Sequence, residues 1–225
     1  VINSLRRTIL SDIPSIVFDE ITITQNSTMY NNEILKQRLQ CIPIYSTDIP
    51  TDSHIISLDV SNNTDSYLLV KSSDLKIVNT ANDTIVSEEE TRKIFPTDPI
   101  TNDHILIAKC KPQLSSKIKG ESIKLTSTIS KKTANDNGCY NIVSKCCHVA
   151  VEDKEKQEQL MSKLKINDVN DRKNWLLLEG KRITIPNTYK LYIETIGVYK
   201  NSTICKMACD IIIKQLEELT YSSSK

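Results

Sequence analysis

Two amphipathic helical stretches stand at the two ends of this 225-residue chain, and the pattern between them is mostly that of strands. At the start, Ile2, Leu5, Ile9 and Ile13 recur every three or four residues, which is one face of a helix. Pro14 closes that helix, because its ring excludes the α conformation from the residue before it. Near the end, Ile204, Ala208, Ile211, Ile212, Gln215, Leu216 and Leu219 share a face over residues 202–219. A helix with one apolar face has to bury it. Two such helices, each beside a strand, predict an α+β fold in which the chain ends meet. Residues 1–28 and 187–225 are expected to form a two-helix subdomain on a small sheet. Residues 29–186 are expected to form a β-rich insert.

Within that frame, Phe18 to Thr24 alternates as a strand does. Asn31 or Asn32 is placed to cap a helix running to Cys41, and Pro43 ends it. Short strands are expected at 55–60, and at 67–70 paired with 75–78, while 79–103 reads as loop with one helical turn. Further strands are expected at 105–110, 121–129, 140–151 and 188–196. Residues 152–165 read as a charged, exposed helix, residues 175–178 (Trp-Leu-Leu-Leu) as a short buried element, and residues 221–225 as a frayed tail.

Composition excludes more than it assigns. The formal net charge of +1 argues against a broad electrostatic footprint for nucleic acid. No apolar run approaches the ~20 residues that a membrane-spanning helix needs, and there is no charged-then-apolar leader. The chain opens at Val1 in mid-motif, as expected of part of a longer protein. Seven cysteines at irregular spacing fit a reducing, intracellular compartment better than a disulfide framework. Four glycines, at 120, 138, 180 and 197, are too scattered for a phosphate-binding loop. Cys146 and His148 are the only strand neighbours able to share a face in the Cys146-Cys147-His148 run. Two ligands do not close a metal site, which needs four thiolates or their equivalents. No metal and no cofactor is expected.

The run from Asn3 to Pro14 has the form Asn-x-Leu-Arg-Arg-x-hydrophobic-Leu-Ser-x-hydrophobic-Pro. It resembles the first helix of the RNA polymerase alpha family, which comprises the bacterial alpha subunit, the archaeal D subunit and the third-largest subunit of eukaryotic polymerase II. Three later segments resemble the same family in the same order. Gln37-Arg38-Leu39-Gln40-Cys41-Ile42-Pro43-Ile44 is similar to its "Arg-Leu…Ile-Pro" helix end, with Gln40 for the usual Gly. Leu191 to Gly197 is similar to the strand that carries Glu-Ser/Thr-x-Gly, and Ala208 to Leu216 to the family's second dimerisation helix. The closest style of sequence is the alpha-like subunit of large DNA viruses of eukaryotes. The family's Lys-x-His-Ala-Lys-x-x-Pro stretch is missing, and residues 131–151 occupy its place.

The resemblance implies a non-catalytic assembly subunit of a multisubunit DNA-dependent RNA polymerase. Its end helices would make a dimerisation subdomain that pairs with a smaller alpha-like subunit, similar to the eleventh subunit of polymerase II. Its other surfaces would dock the two large catalytic subunits, touching DNA only through them and no membrane. The residues implied at interfaces are Leu5, Arg6, Arg7, Ile9, Arg38, Ile42, Pro43, Glu194, Gly197, Ile204, Ala208, Ile211, Ile212 and Leu216. A virion, a virus factory or a nucleus would each suit such a protein. Three other readings stay open: a homodimeric alpha-type subunit, a viral structural or interaction protein unrelated to polymerase, and an enzyme dependent on Cys146 or Cys139.

Overall fold

The computed structural model describes residues 1–46, 49–51, 53–115 and 119–222. The helices are α1 (Ile2–Ser11), α2 (Asn32–Gln40), α3 (Glu88–Ile94), α4 (Lys154–Lys163), α5 (Val169–Leu177) and α6 (Asn201–Ser222). The strands are β1 (Ser15–Asn26), β2 (His54–Ser61), β3 (Leu68–Lys71), β4 (Lys76–Asn79), β5 (Thr84–Ile85), β6 (Leu106–Cys110), β7 (Ser122–Lys132), β8 (Val143–Glu152) and β9 (Thr184–Thr195). Only residues 221 and 222 of the tail fall among those described, and both end α6.

Five strands form an antiparallel sheet in the order β1-β7-β2-β4-β5. Strand β7 lies between β1 and β2, and its period-two pattern puts one face on the core. Ile123, Leu125, Ser127 and Ile129 are all buried, while Lys124, Thr126 and Thr128 alternate outward. Helix α2 covers this sheet with Leu35 and Leu39, both fully buried. Asn31 starts α2 by accepting from the Ile34 N–H at 2.8 Å. Phe18 of β1 stacks on Phe95 with ring centroids 6.1 Å apart, and the rest of this larger core is almost wholly aliphatic.

A smaller core lies where the chain ends meet. Helices α1 and α6 pack together and on the β8–β9 hairpin, around Ile9, Ile13, Ile142, Val143, Cys146, Ile204 and Ala208. The division differs from the expected boundaries on both sides. Strand β1 was grouped with the end helices, yet Ile16, Phe18 and Ile21 belong to the larger core because β1 is hydrogen-bonded along β7. Strand β8 was grouped with the insert, yet it pairs with β9 and lies under α1.

Two local expectations also change. Strands β3 and β4 do not pair with each other: β3 joins β6 in a separate ribbon, and β4 joins β2. The 3-10 turn Ser72–Asp74 carries the chain from one sheet to the other, with Asp74 Oδ2 accepting from the Lys71 N–H at 2.8 Å. Residues 175–178 are not a buried element. They end α5, an exposed helix capped by Asp168, where Leu177 and Leu178 are exposed and Trp175 half-buried.

Candidate subunit interface

The paired helices α1 and α6 are fixed from three directions. At the end of α1, Asp12 Oδ1 accepts from Ser11 Oγ at 2.6 Å and from Asn135 Nδ2 at 2.7 Å, and the Asn135 N–H donates to the Ser11 carbonyl. The Asn135–Gly138 turn therefore anchors the first helix to the loop between β7 and β8. Past Pro14, the Tyr199 hydroxyl donates to the Pro14 carbonyl at 3.0 Å, tying the start of α6 to the end of α1. Under both helices, the Ile196 N–H donates to the Ile142 carbonyl and extends the hairpin ladder toward the turn.

That turn depends on Gly197. Its φ is +102°, which L side chains rarely adopt, and a Cβ there would lie 3.0 Å from Tyr45 Cε1. Thr195 supports the same bend: its hydroxyl donates to the Tyr199 carbonyl at 3.0 Å and accepts from the Gly197 N–H at 3.1 Å. Tyr45, from the loop after α2, donates to the Ile196 carbonyl at 2.9 Å. The larger core thus holds the strand-to-helix turn of the smaller one.

The apolar face of α6 divides into two parts. Ile204 and Ala208 are fully buried, and Ile211 and Ile212 are half-buried. From Ile213 to Tyr221 every residue is exposed, including Ile213 at 53%, Leu216 at 57% and Leu219 at 64%. Leu216 and Leu219 continue the stripe beyond the part covered by α1, and Ile213 flanks Leu216 one turn earlier, on the side turned away from Ile204. Burying a leucine of this kind contributes about 1.5–3 kcal/mol, so leaving three large aliphatics in water marks a surface made for contact. At the opposite end of α6, Lys145, Leu191, Tyr192, Glu194 and Cys205 line a groove between β9 and the first turns of the helix, with Lys145 and Glu194 cross-strand neighbours.

The residues expected at interfaces separate accordingly. Ile9, Ile204 and Ala208 are buried and hold the two helices to the hairpin, so no partner reaches their side chains. Ile42 is 4% exposed and belongs to the larger core, with Pro43 half-buried beside it. Arg38 is engaged within the chain: Nε donates to the Ile107 carbonyl at 2.7 Å, Nη2 to the Leu106 carbonyl at 2.8 Å, and the guanidinium sits over the Tyr30 ring. Leu5 is half-buried against the smaller core, Arg6 is half-buried with Nε on Asn3 Oδ1 at 3.1 Å, and Arg7 and Glu194 are exposed. Of the original set, Arg7, Glu194 and Leu216 are the exposed side chains on α1, β9 and α6. Ile213 and Leu219 extend the α6 surface and were not in the set, although the periodicity of α6 already carried Leu219. Tyr45 and Tyr199 were missed, since neither belongs to a repeating pattern.

The cysteines do not assemble into chemistry here. Burial pushes the Cys146 thiol up, and burial followed by the nearby Cys209 pushes Cys205 up, so both are held protonated. The His148 ring packs edge-on against Tyr189, and its Nδ1 is buried with no hydrogen-bond partner. Among the described residues, no three His, Cys, Asp or Glu side chains converge as a metal site would require.

The architecture is that of a paired-helix module carried on a hairpin and interrupted by a larger sheet, with an uncovered apolar seam on the second helix. A family model described as the RNA polymerase Rpb3/Rpb11 dimerisation domain matches residues 1–216, almost the whole chain. The chain therefore belongs to the RNA polymerase Rpb3/Rpb11 dimerisation-domain family, as an alpha-like subunit that dimerises within a multisubunit RNA polymerase.

Proposed function

We propose that this chain is a non-catalytic assembly platform whose α6 seam pairs with a smaller alpha-like subunit, and whose remaining surfaces dock two large catalytic subunits. The observation that carries the reading is the run of exposed aliphatics Ile213, Leu216 and Leu219 on a helix whose first half is already anchored by α1. Obligate interfaces bury on the order of 2,000 Å² or more and are strongly apolar.

The exposed Arg7 on α1 supplies a planar, permanently charged fork suited to a carboxylate on a large subunit. Contact with DNA would run through the large subunits, in keeping with the near-neutral charge. The style of the four motifs further supports a polymerase of a large DNA virus of eukaryotes.

The test is affinity purification of a tagged chain from its native source, alone and with Leu216→Asp plus Leu219→Asp. Recovery of one small and two large subunits with the unmodified chain, and their loss with the double variant, is the expected result. Recovery of the chain with only a second copy of itself overturns the proposed partner in favour of a homodimer.

A further inference from the structure

We propose that the helices α4 and α5, between strands β8 and β9, carry a docking groove for a short partner segment that presents a lysine or arginine beside a large aliphatic side chain. The groove has a volume of about 660 Å³ and runs between the α4–α5 connection and one face of α5. No residue of α6 lines it, so it is a surface distinct from the α6 seam.

Helix α5 has less support than its length requires. It has nine residues, fewer than the ~12–15 at which an isolated helix becomes even marginally stable in water. Short helices are held by burying one face, yet none of these nine residues is buried. Asp168 caps the helix, its Oδ2 accepting from the Asn170 N–H at 2.9 Å and the Asp171 N–H at 3.2 Å. Gly180 supplies a seat at the other end: a Cβ there would lie 3.3 Å from Leu176 Cδ2 and 3.4 Å from Trp175 Cζ3. The Gly180 carbonyl in turn accepts from the buried Gln157 of α4 at 2.8 Å, so the Trp175 ring rests on a fixed backbone.

Shape and charge decide the occupant. Leu164 and Leu178 line the groove with Trp175 and are 59% and 69% exposed. An apolar surface of this kind with a polar rim marks a contact site. Three carboxylates, Asp168, Asp171 and Glu179, line it against one ammonium, Lys165. Asp168 is taken up by the cap and Glu179 by Arg182 at 3.2 Å, which leaves Asp171 to meet an incoming cation. Tryptophan is also the aromatic side chain that attracts a cation most strongly. Ring and carboxylate therefore serve one lysine or arginine, while the leucines cover the aliphatic side chain next to it. An acidic segment would meet like charge and be rejected.

Trp175 is the only tryptophan of the chain, so the emission of the purified full chain reports on this groove alone. The probe is an acetylated, amidated leucine–lysine peptide with its lysines at helical spacing, titrated beside the leucine–glutamate counterpart. The lysine peptide is expected to change the emission saturably and to bind more weakly as salt is raised, with no response to the glutamate peptide. Asp171→Lys should lower the affinity at least about tenfold without moving the Tm, since like charges then face each other. Glu158→Lys, the same reversal on the exposed side of α4 away from the groove, should keep the affinity within about twofold. Equal binding of the two peptides, no saturable response to either, or equal losses in the two variants overturns the proposal. An emission change on diluting the chain alone, abolished by Asp171→Lys, also overturns it and assigns the groove to a second copy of the chain.

Discussion

The ring of Tyr45 stands 3.0 Å from the place where a side chain on Gly197 would begin, and its hydroxyl donates to the carbonyl of the residue just before that glycine. One contact thus fixes both the backbone conformation and the surroundings of the turn that launches α6. Gly197→Ala meets the ring and a positive φ together, and is expected to destabilise the chain by about 1–3 kcal/mol. Tyr45→Phe keeps the ring and removes one hydrogen bond, an expected cost of about 1 kcal/mol. Urea unfolding of the two variants should rank them in that order.

The two halves of the α6 stripe should respond differently to the same substitution. Ile204→Asp places a carboxylate in a fully buried site and is expected to cost more than about 4 kcal/mol, enough to unfold the chain or leave it marginal. Leu216→Asp changes an exposed position, and the free chain should keep its thermal midpoint within a degree or two. Thermal scans of both variants, run beside partner capture, separate loss of fold from loss of binding.

Arginines on the two helices should divide as their contacts do. Arg38 donates to two carbonyls of β6, and Arg38→Met is expected to cost about 1.5–3 kcal/mol, with Arg38→Lys failing to restore the fork. Arg7→Glu should leave stability unchanged and reduce recovery of a large subunit. Equal stability losses in the two variants would contradict this division.

Asp19 and Lys132 form an ion pair between β1 and β7. The hydrogen bond from Lys132 holds the Asp19 carboxyl below its ordinary 3.8, and the same bond raises Lys132 above 10.5. A depressed carboxylate contributes stability that is present above the unfolded value and is lost as pH falls through the folded one. A raised lysine contributes stability that is present below its unfolded value and is lost as pH rises through the folded one. The urea midpoint of the wild type relative to Asp19→Asn should therefore hold steady from about pH 5 to 9 and shrink toward both extremes. A difference that grows below pH 4 would contradict the assignment.

The legible parts of the fold were those in which one element alone carries its signal. Ile2, Leu5, Ile9 and Ile13 announce α1, the alternation after Ser122 announces β7, and the pair Asn31-Asn32 announces the start of α2, Asn31 being the one that caps it. Strand partners were not legible, because alternation reports which face is buried and not which strand lies alongside; β1 and β8 were therefore assigned to the wrong cores. The run Trp175-Leu176-Leu177-Leu178 misled for a related reason, since four consecutive apolar residues fit either a buried strand or one turn of a helix.

At the site, the spacing on α6 identified the apolar stripe but not where its own chain stops covering it. Ile42 and Arg38 illustrate the converse. A motif residue can be fully engaged by the chain's own core or carbonyls, and nothing in the residue type distinguishes that from contact with a partner.

The most direct test of the central claim is hydrogen exchange on the chain, free and within the complex recovered through its tag. Amides of residues 213–221 should exchange at least about tenfold more slowly once assembled, because a partner covers the Ile213, Leu216 and Leu219 seam, while those of β7 should stay unchanged. Unchanged exchange over 213–221 in the assembled protein would mean that the seam is not where this subunit meets its partner.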